Sequence, residues 1–241
     1  MIVRTNLITI DGPVQPPEGL VYSANPRRAE GEDGTPYFIK GSELEIVFAE
    51  IAGCALAREV GLPVPDVAAC EFGGEVFVGT KKIDVVVRDI EPWLVRPQKV
   101  INFSDLFAAI VVDIWLANHD RNIGNILPRP QDRGVEFVFI DFEKSIALHP
   151  SPLMASTVLE PRKLWPRGLL GNKLRIVRQL YPPMYMIDRI RSTPTNRLSG
   201  IINEVVAAIG APVTWHDDVV NALSKRAGRI QQLAEEVWAI N

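Results

Sequence analysis

Along the first ninety positions the apolar residues mostly alternate with polar ones, with one interruption. "IVRTNLITI" and "LVYSA" place Val, Ile and Thr between polar neighbours, the pattern of half-buried strands. "SANPRRAEGEDGTP" reads as a loop rich in glycine and charge, and "YFIK" behind it as a short strand. The interruption is "SELEIVFAEIAGCALAREV", where Leu44, Val47, Phe48, Ile51, Ala55, Leu56 and Val60 fall at steps of three and four. That spacing predicts an amphipathic helix. Ser42 with Glu45 three later forms a capping box at its start, and Gly61 and Pro63 stop it. Strand character returns in "VAACEF", "EVFVGT" and "IDVVVR", the first two joined by a turn at Gly73-Gly74.

Beyond Pro92 the period becomes helical. "FSDLFAAIVVDIWLAN" predicts a helix with Ser104 as N-cap, and "VEFVFI" a buried strand ending at Asp141. Residues 150–241 read as mainly helical between proline-bearing breaks such as "HPSPL", "YPPM" and "STPT". "VRDIEPW", at 87–93, is the expected hinge, which divides the chain into 1–90 and 91–241.

Composition narrows the classes. With 241 residues, 47% hydrophobic and 23% charged, the chain can form one large domain or two lobes around a cleft. Lys plus Arg number 26 against 29 Asp plus Glu, a net charge of -3, so nothing points to direct reading of nucleic acid. The most apolar window, Leu106 to Ala117, spans 12 residues and contains Asp113, too short and too charged for a bilayer. No apolar run follows Met1-Ile-Val-Arg4, so no secretory signal is expected. Cys54 and Cys70 make neither a disulfide framework nor a zinc set, and a cytoplasmic, membrane-free setting is expected.

The chemistry concentrates in "WLANHDRNIGNILP". Asp120 and Asn125 lie five apart, and Asp141-Phe142 follows a buried strand 16 residues further on. Phosphoryl transfer from a nucleotide requires such a set: one carboxylate for the attacking hydroxyl, an amide and a second carboxylate for Mg²⁺. Arg121, next to Asp120, is expected to favour its ionised form. Lys40, at the end of "YFIK", is the candidate for the ATP phosphates. Glu50, mid-helix beside the apolar face, is the candidate that holds it, because a charge there needs a partner. Glu45 is assigned to the capping box.

"FAEIAGCALAREVGLPVP", "HDRNIGNIL" and "FIDFEKS" together resemble the HipA-like kinases, bacterial relatives of the phosphoinositide kinases. The resemblance spans most of residues 20–150 and implies an α+β, bilobal protein-kinase-like fold. Its β-rich N-lobe would carry one long helix and its C-lobe would be mainly helical. It implies Asp120 as catalytic base, Asn125 and Asp141 as Mg²⁺ ligands, and Lys40 with Glu50 as the ATP-phosphate pair. It further implies a serine/threonine protein kinase with a protein substrate; some members are toxins neutralised by an antitoxin-like partner protein.

The departures are specific. No G-x-G-x-x-G precedes Lys40, which leaves Ser23, Arg27, Arg28 or loop N–H groups for the phosphates. "DFE" stands where protein kinases have D-F-G, so Glu143 adds a third carboxylate near the metal, and there is no A-P-E signature. The longer HipA-type toxins carry an extra N-terminal subdomain that this chain is not expected to have. A small-molecule kinase of the aminoglycoside or choline type shares D-x-x-x-x-N, with Arg121 arguing against it. A pseudokinase that only scaffolds a partner is opposed by the retained Lys40, Glu50, Asp120, Asn125 and Asp141. His119, His149, His216 and the five tryptophans are read as structural.

Overall fold

A computed structural model describes residues 2–13, 26–85, 90–146 and 181–239. Five strands, β1 (Val3–Pro13), β2 (Arg27–Gly31), β3 (Pro36–Lys40), β4 (Val67–Phe72) and β5 (Glu75–Lys81), close into a barrel in the order β1-β2-β3-β5-β4. β1 closes it by serving two neighbours. Val3 to Asn6 run parallel to Ala68 to Glu71 of β4, and Leu7 to Pro13 run antiparallel to β2.

Leu7, Ala29, Tyr37, Ile39, Ala68, Cys70 and Phe77 fill the interior. The filling is tight: a side chain at Gly79 would collide with Cys70 Sγ and Tyr37. Because side chains alternate along a strand, the neighbours of these interior residues face outward. Val67, Ala69 and Val78 therefore join the larger core. Lys40, one residue past Ile39, takes the same outward face.

That face is covered by α1 (Leu44–Glu59). Residues around its whole circumference are buried, Glu50 and Gly53 among them, because the barrel lies on one side and further elements on the others. The expected one-sided amphipathic helix is thus a central one. The expected capping box is absent: the helix starts at Leu44, the N-cap is Glu43, and no side chain caps it. Ser42 lies one residue too early to reach the orphan N–H groups. The stop is as expected. Gly61, at φ 84, lets its N–H reach Arg58 O (2.9 Å) while Leu62 N–H reaches Ala57 O (2.9 Å), a Schellman end.

Two other expectations change. β2 lies inside the segment read as a loop. Its small inward residues Ala29 and Gly31 alternate with outward charge, and a turn at Gly34 (φ 75), where Asp33 Oδ1 accepts from Thr35 N–H, folds it onto β3. In "IDVVVR", residues 83–85 form no strand, and 86–89 lie outside the described residues, as do "LVYSA" and Ser23. The β4–β5 turn at Gly73-Gly74 has both φ values positive, 61 and 84, as the hairpin requires.

After a short α2 (Glu91–Leu94), the buried α3 (Asp105–Leu116) leads to a hairpin of β6 (Ile126–Gln131) and β7 (Gly134–Phe139). Ser104 occupies the N-cap position of α3, as expected, but its side chain makes no cap bond. β6 has no counterpart in the sequence reading because Pro128 and Pro130 mask it. In a two-stranded ribbon its outer edge needs no N–H donors, which is where strands tolerate proline. The helices α4 (Met184–Ser192), α5 (Thr195–Ile209) and α6 (Thr214–Ala239) follow, the first two starting behind Pro183 and Pro194. α5 packs on α1, and α6 packs on α3. No described helix is long and apolar enough to cross a membrane, and Cys54 and Cys70 are buried free thiols.

Candidate active site

Lys40 leaves β3 toward α1, and Glu50 meets it from the helix. The Nζ lies 3.2 Å from Glu50 Oε2, 2.7 Å from Asp141 Oδ1 and 3.2 Å from Glu143 Oε2. Glu50 is fixed from behind, because its Oε2 also accepts the Phe142 N–H at 2.7 Å. The 141–145 segment comes this close to α1 because residue 53 is glycine. A Cβ there would stand 2.5 Å from Phe142 Cβ and 2.8 Å from Ser145 Oγ. Ser145 Oγ donates to Ala49 O at 3.2 Å and completes the attachment. Asp141 sits at φ 67, a left-handed conformation that turns the chain sharply out of β7. Its neighbours hold that turn from both sides: Ile140 N–H on Asn125 O (3.0 Å) and Phe142 N–H on Glu50.

The polar loop is organised from α3. Ala117 ends that helix at φ 58, and Asn118 Nδ2 donates back to Asp113 Oδ1 at 2.9 Å. Asp120 and His119 are exposed beyond it, while Asn125 is buried. Asn125 Nδ2 donates to Asp120 O at 3.0 Å, so the amide ties the two ends of the loop together. The hairpin register then sets the distance to the second carboxylate. Ile126 pairs with Phe139, which puts Asn125 opposite Ile140 and one residue from Asp141.

Arg121 does not serve Asp120. Its Nε and Nη2 each donate to Asp113, at 3.0 Å, in a bidentate pair, and its Nη1 donates to Asn125 O (3.2 Å) and to Ile140 O. The guanidinium also lies 4.6 Å from the Phe142 ring centroid. It turns inward because a carboxylate buried mid-helix in α3 demands a planar, permanently charged partner. Asp113 is the residue that sequence reasoning missed. Its signal was present, a lone charge in an apolar helical run with an arginine eight residues later, but it was read only as evidence against a membrane span. Behind α3, Trp115 Nε1 donates to Leu223 O (3.1 Å) and Arg226 Nη1 to Trp115 O (3.2 Å), which docks the helix end on α6.

The electrostatics separate two clusters. Burial works against charge on Lys40, but Glu50, Asp141 and Glu143 outweigh it and hold the amine above its ordinary value. Burial raises the Glu50 carboxyl, with Lys40 opposing and Asp141 adding to the rise. In the second cluster burial raises Asp113 against the pull of Arg121, and Arg121 itself is raised by Asp113 despite burial.

Of the expected site residues, Lys40, Glu50, Asp141 and Glu143 converge on one point, and Asn125 is held one register step away. Asp120 is joined to them through Asn125. Arg27 stacks over Phe77, its guanidinium carbon 5.6 Å from the ring centroid. No three His, Cys, Asp or Glu side chains among the described residues already form a metal-sized site. The carboxylates are nevertheless suited to a divalent cation such as Mg²⁺, since three of them share one ammonium and leave an excess of negative charge.

No family model matches the chain, and no curated protein matches it. Solved structures do. The Helicobacter pylori proinflammatory kinase CtkA superposes with a TM-score of 0.60 at 14% identity, covering 100% of this chain and 98% of that one. HipA of Shewanella oneidensis, solved with HipB and operator DNA, gives 0.53 at 14%, covering 96% and 68%. The Golgi casein kinase with Mn and ADP bound gives 0.54 at 12%, covering 98% and 74%. At these identities the likeness concerns the fold. The chain has an α+β, protein-kinase-like fold.

Proposed function

We propose that the chain is an ATP- and Mg²⁺-dependent phosphotransferase, a HipA-like serine/threonine protein kinase acting on a protein hydroxyl. The observation that carries this reading is the meeting of Lys40, Glu50 and Asp141 at one point, with Asn125 bound to both the loop and the hairpin. In this reading the fold is bilobal. Residues 1–90 form the N-lobe that grips the nucleotide phosphates, and residues 91–241 the C-lobe with the catalytic loop, metal site and acceptor surface.

Each residue then has a task. Lys40 holds phosphate oxygens, and Glu50, anchored by the Phe142 N–H, holds Lys40. Asn125 and Asp141 are the Mg²⁺ ligands; Mg²⁺, when bound, neutralises phosphate charge and orients the transferred group. Asp120, exposed at the loop tip, orients the acceptor hydroxyl and takes its proton. The excess negative charge of the cluster is what a divalent cation offsets before phosphates can approach. A protein acceptor, an antitoxin-like protein partner and a cytoplasmic setting belong to the same reading.

The test is transfer of label from γ-labelled ATP in the presence of Mg²⁺ and cell extract. Label is expected on protein, and expected to disappear in both Asp120→Ala and Asp141→Ala. Label confined to small metabolites would replace the protein acceptor with a small-molecule one. Label that survives in both variants would remove these residues from the chemistry.

A further inference from the structure

Lys40 has three N–H donors, and three carboxylates surround it: Glu50 at 3.2 Å, Asp141 at 2.7 Å and Glu143 at 3.2 Å. An ammonium has no fourth donor. A phosphate that approaches Lys40 therefore competes with these three carboxylates, of which Asp141 holds the hydrogen bond, and it binds most readily where one of them gives way. Glu50 is unsuited to leave, being fully buried and bonded to the Phe142 N–H. Asp141 is held by a turn whose two flanking amides are both engaged. Glu143 differs from both. Its only other ionic neighbour among the described residues is the exposed Lys144, at 3.9 Å, and no hydrogen bond anchors its carboxylate there.

We propose that Glu143 is an internal competitor for the nucleotide phosphates. It occupies Lys40 while no nucleotide is bound and yields that place when a phosphate arrives. The proposal rests on the kinase reading above, and it assigns Glu143 to Lys40 rather than to the metal. Two consequences follow from the charges. Glu143 keeps Lys40 aligned with Glu50 in the empty site, so the cluster does not have to assemble during binding. It also lowers nucleotide affinity, because its displacement breaks an ion pair and leaves a carboxylate near incoming phosphate.

The charge-neutral, isosteric substitution Glu143→Gln separates this role from metal ligation. Dissociation constants for ADP are measured by calorimetry on the whole chain, with Mg²⁺ and again with EDTA, for wild type, Glu143→Gln and Asp141→Asn. Glu143→Gln is expected to bind ADP about three- to fivefold more tightly, the coupling of a partly exposed ion pair. The gain is expected to persist in EDTA, where no metal screens the carboxylate. Asp141→Asn is expected to weaken binding with Mg²⁺. Weaker binding by Glu143→Gln in Mg²⁺ alone would make Glu143 a metal ligand and overturn the proposal, and unchanged affinity in both buffers would overturn it as well. Wild type that binds ADP in neither buffer would overturn the kinase reading itself, a result distinct from either.

Discussion

Lys40 and Arg121 are both cations set against carboxylates, yet they are surrounded in opposite ways. Arg121 is fully buried and spends its donors on one carboxylate and on the backbone carbonyls of Asn125 in the loop and of Ile140 just past β7. Lys40 keeps 14% of its side chain accessible and is shared among three carboxylates, two of them held in place and the third, Glu143, without a hydrogen bond among the described residues. The first arrangement is balanced in charge and has nothing to exchange. The second is over-supplied with anions and open to solvent, so a ligand can rearrange it. Phe142 joins them, with its ring against Arg121 and its amide on Glu50. A rigid cluster thus positions an exchangeable one.

The comparison breaks most severely at Arg121. Arg121→Met strands the Asp113 carboxylate, and a loss of about 3–5 kcal/mol in denaturant unfolding is expected, the cost of an uncompensated buried charge. The loss has a predictable pH dependence. Burial already lifts Asp113 above its ordinary 3.8, and Arg121 opposes that lift. Without Arg121 the folded chain favours protonated Asp113 more strongly than the unfolded chain does. The stability that proton confers is fully present below pH 3.8 and is lost as pH rises through the folded-state value. The deficit of Arg121→Met relative to wild type should therefore narrow as pH falls toward 3.8; a deficit that widens on acidification would contradict the buried pairing.

Gly53→Ala tests the joint between the clusters. Its Cβ would lie 2.5 Å from Phe142 Cβ, so α1 and the 141–145 segment must separate, at about 1–3 kcal/mol in thermal unfolding. Lys40→Met, on the exchangeable side, leaves the buried Glu50 carboxylate without its cation and should cost about 3 kcal/mol, and it should also abolish nucleotide binding. Ser42→Ala should change stability by less than about 0.5 kcal/mol, because no cap bond exists to lose.

Much of this was legible in the chain because the elements concerned follow a simple period. Alternation located β1, β3, β4 and β5, the three-four spacing located α1 and α3, and the need of a mid-helix charge for a partner picked Glu50 for Lys40. What stayed hidden depends on partners distant in sequence. β2 is a strand through its pairing with β3, in spite of its charged composition. β6 carries two prolines that only an unpaired edge tolerates. Whether Ser42 caps α1 turns on a helix boundary one residue away. Arg121 shows the limit most clearly. Its place beside Asp120 suggested a partner one residue away, whereas burial gave it one eight residues back, on α3.

The central claim is that the Lys40–Glu50–Asp141 cluster binds Mg-ATP, and thermal unfolding of the chain with and without Mg-ATP tests it most directly. At a ligand concentration of about a hundred times the dissociation constant, wild type should gain about 2.7 kcal/mol and melt several degrees higher. Lys40→Met and Asp141→Asn should show little or no gain. A wild-type melting temperature that Mg-ATP does not move, or an equal rise in both variants, would contradict the account.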